Sequence, residues 1–174
     1  MRLANGTLAV SAMALSLLVS CSAVAPDKDA SMPSAVEASG GKEIAMTDES
    51  SRVTAVEVSP GGSGYSFAVT IESDETGCDQ YANWWEVVTP EGELLYRRIL
   101  AHSHVDEQPF TRSGGPVAIS EEDVVVVRSH ANPDGYSTQA MKGSVSEGFS
   151  PATLEDDFAI ELAKSNPQPS DCAF

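Results

Sequence analysis

The chain has 174 residues, 26 of them acidic and ten basic, for a formal net charge of −16. A surface this negative repels nucleic acid and anionic lipid headgroups, so neither is an expected partner, and it favours solubility in salty surroundings. With a leader and a linker set aside, about 120 residues remain, enough for one domain with a real hydrophobic core.

The first 20 residues have the order of an export signal. Arg2 supplies the positive start, and residues 8–19 are apolar or small throughout. A run of about 12 is too short for a membrane-spanning helix, which needs roughly 20. It ends in Leu18-Val19-Ser20-Cys21, which resembles a bacterial lipobox. That resemblance implies that Cys21 is lipidated and becomes the mature N-terminus, tying the protein to a membrane. Loss of Arg2 leaves nine basic against 26 acidic residues, or −17. Ser22, rather than Asp, follows Cys21. In a lipoprotein of a cell with two membranes this implies the outer one, facing the periplasm or the cell surface. Residues 21–50 are rich in Ala, Ser, Pro, Gly and acid without periodicity, and read as a flexible tether.

From residue 51 to 174 the texture changes to short strands separated by turns. Residues 53–58 are the first strand, and Pro60-Gly61-Gly62-Ser63-Gly64 is a turn cluster. Tyr65, Phe67, Val69 and Ile71 then alternate with smaller or polar residues, the pattern of a half-buried strand. Residues 73–83 form a polar loop carrying Cys78. The strongest hairpin signal follows: Trp84-Trp85-Glu86-Val87-Val88, a turn at Pro90-Glu91-Gly92, and a return over residues 94–100. Ser113-Gly114-Gly115-Pro116 reads as a turn. The continuous apolar run 124–127 predicts a strand buried on both faces, closed by Asn132-Pro133-Asp134-Gly135. Residues 157–163 alternate and are expected to form a last strand. Some seven short strands at this spacing predict an all-β chain, a single antiparallel β-sandwich, immunoglobulin-like in the loose sense. The domain resembles small secreted β-sandwich domains of unassigned function.

With Cys21 given to lipid, Cys78 and Cys172 remain, and two cysteines in an exported chain are expected to pair. The three histidines, His102, His104 and His130, each follow a strand-like run. If their strands are neighbours, the imidazoles converge, and three histidines suit zinc or copper. The H-x-H with a distant third His resembles the ligand arrangement of α-carbonic anhydrases, and His102-x-His104-x-x-Glu107 resembles the first cupin motif. The alternative is that the histidines sit at strand ends, hydrogen-bonded to backbone or to Asp106 and Glu107. Arg98 and Arg128 lie on the same strands and suit a carboxylate or phosphate ligand. Trp84-Trp85 puts one indole on each face of a strand: one in the core and the other a platform for an apolar or sugar ligand, the alternative being that both serve core or inter-strand packing.

No Ser–His–Asp signature, phosphate loop or nucleotide fingerprint stands out. The expectation is therefore a lipid-anchored binding or interaction module of the cell envelope, with an unknown protein or small-molecule ligand and no catalytic residue assigned. The alternative is a zinc- or copper-binding protein or small metalloenzyme using His102, His104 and His130.

Overall fold

The computed structural model describes residues 49–173, all within one unit, Ile44–Phe174. The predicted signal peptide, Cys21 and nearly all of the predicted tether lie outside the described residues. Among the described residues nine strands follow one another: β1 (Ser51–Gly61), β2 (Gly64–Ser73), β3 (Tyr81–Val88), β4 (Leu94–Ile99), β5 (Phe110–Val117), β6 (Val125–Asn132), β7 (Gly135–Tyr136), β8 (Gln139–Ser144) and β9 (Gly148–Thr153). One sheet has the order β1-β2-β5, the other β4-β3-β6-β8-β9, with β7 paired to β6. Every pairing is antiparallel, so the fold is an all-β antiparallel sandwich.

Alternation builds the core. Phe67, Val69 and Ile71 of β2 face Trp85 and Val87 of β3 and Val125 and Val127 of β6 across the sandwich, all essentially inaccessible to water. Residues 125–127 of the expected run are buried on both faces because the second sheet is central to three layers, whereas Val124 lies ahead of β6 in the connection and is exposed. Its outer face is covered by the segment after β9. There Val88, Val126 and Ala140 pack against Leu154, Phe158 and Leu162.

That segment departs from the expected strand. It is a run of turns ending in a 3₁₀ turn over Ile160–Lys164. The spacing 154, 158, 162 repeats every four residues and brings three apolar side chains onto one face, leaving Ile160 53% exposed. Ser113-Gly114-Gly115-Pro116 likewise lies inside β5, paired to β2, and is no turn. Its glycine serves close approach instead: a Cβ on Gly114 would stand 2.7 Å from the Tyr96 hydroxyl and 2.9 Å from Trp85 Cζ2. The β8–β9 hairpin escaped the sequence reading because its residues alternate poorly.

The register sorts the connections between two ends. Ser51 pairs with Ser73, and Ile71 with Phe110. The start of β1 therefore shares an end with connections 74–80, 100–109 and 133–138. The opposite end carries connections 62–63, 89–93, 118–124 and 145–147.

Cys78 and Cys172 form the expected disulfide, tying the loop before β3 to the C-terminal segment across 94 residues of chain. Closing so long a loop restricts the unfolded ensemble, so reduction should cost about 2–4 kcal/mol. Melting of the reduced protein should fall by about 10 °C relative to the oxidised form. Complete labelling of both thiols in folded, unreduced protein would contradict this.

Candidate functional site

The densest polar cluster is built on the outer face of β3, β4 and β6. In register, Glu86 stands opposite Arg97 on one side and Arg128 on the other. The Glu86 carboxylate is fully buried. Its Oε2 accepts from Arg97 Nε at 2.8 Å and Nη2 at 2.7 Å, and its Oε1 from Arg128 Nε at 2.9 Å. Arg128 Nη2 lies 2.8 Å from the same Oε1. Tyr136 donates its hydroxyl to Oε2 at 3.3 Å.

Two buried guanidiniums against one carboxylate leave an excess positive charge, which would be costly without further partners. The remaining N–H groups find main-chain carbonyls of the C-terminal segment. Arg97 donates to Leu162, Ser165 and Pro167, and Arg128 to Phe158 and Ala159, at 2.6–3.0 Å. Five oriented carbonyl dipoles thus offset the charge, and the arginines in turn hold a segment that has no ladder of its own. The cluster is closed on every side and its work is structural.

The predicted site residues divide around it. Arg128 is in the cluster and inaccessible to a ligand; Arg98 is exposed on the edge strand β4, and its neighbour Arg97 takes the inward position. Trp84 and Trp85 are both buried, at 2% and 0% exposure, so neither is a surface platform. Trp85 fills the core, while Trp84 is covered by the His130 ring, stacked at 3.7 Å, and by the Arg97 guanidinium at 4.5 Å. The outward face of β3 is a second interior because the C-terminal segment lies over it.

The three histidines are not brought together. His130, on β6, is stacked on Trp84, and its Nδ1 shares a hydrogen bond with Asn83 Oδ1 at 2.8 Å. Burial, with Arg97 and Arg128 beside it, pushes its pKa down to about 3. His102 and His104 lie past the end of β4, in the connection to β5, so strand parity does not govern them. Their rings are 4.6 Å apart. His104 is buried against Phe110, ring to ring at 3.8 Å, while His102 is exposed. The His104 main-chain N–H donates to Glu75 Oε2; its ring Nδ1 lies 3.8 Å from that oxygen, and neither ring nitrogen has a hydrogen-bond partner among the described residues. Burial, reinforced by Arg112, lowers its pKa. Glu107 is turned to Arg112, at 2.7 Å, and not to the histidines. Among the described residues no three His, Cys, Asp or Glu side chains are placed to hold a metal ion. The expected zinc or copper centre at His102, His104 and His130 is corrected accordingly: H-x-H at the head of a connection and a third His stacked on Trp84 and bonded to Asn83 form no ligand group among the described residues. The carbonic-anhydrase and cupin resemblances carry no ligand set with them.

Sequence reasoning missed Glu86 and Arg97 as partners. The usable signal was the hairpin itself: a turn centred at residue 91 sets Glu86 across from Arg97.

No family model and no solved structure matches the chain. A protein of Halomicrobium mukohataei named "Putative lipoprotein" is 36% identical over 140 residues, covering 70% of this chain and 69% of its own length. The chain belongs to the family of this lipoprotein.

Proposed function

We propose that the chain is a lipid-anchored module of the cell envelope, exported, tethered to a membrane through Cys21, and presenting its β-sandwich to a binding partner. The observation that carries this reading is how the chain enters the domain. Glu49, immediately before β1, is clamped by the turn ahead of β8. Its carboxylate accepts from the Thr138 N–H at 2.9 Å and the Gln139 N–H at 3.2 Å, and from the hydroxyls of Ser137 and Thr138. The chain therefore leaves the sandwich from a fixed point at one end, which suits a stalk-borne domain whose opposite end is free. Kinship with a lipoprotein supports the anchor. The leader motif ending at Cys21, and about 27 residues between it and Glu49, supply attachment and reach. In a cell with an outer membrane, Ser22 after Cys21 favours that membrane. The strong negative charge makes nucleic acid an unfavourable partner.

Fractionation of cells expressing Cys21→Ser tests the anchor. The variant should accumulate as an unprocessed precursor or leave the membrane fraction. A mature form that still requires detergent for release would overturn the proposal.

A further inference from the structure

We infer that the end of the sandwich opposite the Glu49 clamp is the docking surface, and that it takes a partner protein presenting an apolar side chain flanked by lysine or arginine. This rests on the module reading above and assigns it a face and a partner chemistry.

Four large apolar side chains are exposed among the described residues: Leu95, Val105, Val124 and Ile160. Leu95 and Val124, at 38% and 46% exposure, line one groove of about 330 Å³. Its other walls come from Thr89, Pro90, Ala118 and Ile119, with the carboxylates of Glu91 and Asp123 at its rim. The groove lies between the β3–β4 turn and the connection that carries the chain from β5 in one sheet to β6 in the other. Isolated exposed apolar residues need no explanation, but two sharing a concave surface with a polar rim have the anatomy of an interface.

Charge specifies the occupant. The connections at this end, 62–63, 89–93, 118–124 and 145–147, contain six carboxylates (Glu91, Glu93, Glu121, Glu122, Asp123, Glu147) and no Lys, Arg or His. The clamped end has as many, Asp74, Glu75, Asp79, Asp106, Glu107 and Asp134, but there Glu75 is buried against the His104 main chain, Glu107 is paired with Arg112, and His102 and His104 lie among them. At the free end Asp123 accepts the Ser120 N–H at 2.8 Å. A second copy of this chain would bring the same six carboxylates against themselves, and an anionic headgroup would be repelled. A cationic partner gains attraction at the rim, and its apolar side chain gains burial between Leu95 and Val124.

The test uses the full chain in non-ionic detergent and a fluorescein-labelled peptide, Arg-Leu-Lys-Val-Arg, read by anisotropy. Counterparts carry Glu for each basic residue, or Ser for Leu and Val. The parent peptide should bind, and both counterparts should bind at least tenfold more weakly. Val124→Lys and Leu95→Lys should each weaken binding about tenfold, and Glu91→Lys several-fold, with unchanged melting curves. Val105→Lys, at the other end, should change nothing. Equal binding by the Ser peptide, or equal weakening by Val105→Lys and Val124→Lys, would mean diffuse charge attraction only and would overturn the assignment. A photo-crosslinker placed at Leu95 or at Val105 in intact cells separates the two levels. Crosslinks to a partner protein from Val105 alone would leave the module reading standing and remove this face. No crosslink from either would count against both.

Discussion

Glu86→Ala is expected to destabilise the domain by about 3–5 kcal/mol, because it strands two buried guanidiniums without their shared anion. In a domain of this size that lowers the melting temperature by about 10–20 °C. The loss should not stay local. Arg97 and Arg128 reach the C-terminal segment through Leu162, Ser165, Pro167, Phe158 and Ala159, and their aim is set by the forked bonds to Glu86. Once the carboxylate is gone, the segment should loosen before the sandwich melts. Lys164, in the 3₁₀ turn, then becomes a tryptic site cut faster than in the parent, while the disulfide retains the cleaved end. Glu86→Gln keeps shape and some hydrogen bonding, so it should cost less. The check is chemical unfolding of the three proteins beside a time course of trypsin cleavage. An alanine variant within 1 kcal/mol of the parent would show that the carboxylate contributes little.

The second large effect is acid sensitivity. His130 has a folded-state pKa of about 3 and an ordinary value of 6.5. Between those values the unfolded chain binds a proton that the folded chain refuses, so stability rises with pH across this window. It is complete above about pH 6.5 and is lost progressively as pH falls toward 3. A shift of this size corresponds to about 3–5 kcal/mol. His104, also lowered by burial, adds to the slope in the same direction. Unfolding free energy measured from pH 4 to 7 should rise by one to two protons' worth, and His130→Phe, which keeps a ring on Trp84, should remove most of one. An imidazole resonance of His130 titrating near 6.5 in the folded protein would contradict the assignment.

The two effects share a cause. The outer face of the six-stranded sheet is polar in composition yet interior in position. Trp84, Glu86, Arg128 and His130 alternate with core residues along β3 and β6, a pattern that by itself reads as the solvent face of a two-layer sandwich. On that reading Trp84 becomes a platform and the arginines and His130 become ligand contacts. What reverses the assignment is the C-terminal segment, and local sequence is a poor guide to its path. The five hydrogen bonds that Arg97 and Arg128 give it all end on main-chain carbonyls, which every residue has.

Period-two alternation in β2, the hairpin around Gly92 and the double-sided apolar run of β6 were legible because each expresses how a strand meets its neighbours within a few residues. The same holds for the pairing of Cys78 with Cys172, once only two cysteines were left to choose between. The sequence by itself therefore determined the all-β class, the central hairpin and the bridge. Only the tertiary structure decided which face of the second sheet is covered, that Gly114 lies within a strand, and that His130 stacks on Trp84 and forms no metal-holding group with His102 and His104. Those outcomes depend on contacts such as Glu86 to Arg128 and Arg97 to Pro167, 42 and 70 residues apart, where no local periodicity reaches. Burial that turns a polar residue from solvent-facing to structural is set by whatever segment lies over it, and here that segment follows β9, far in sequence from the residues it covers.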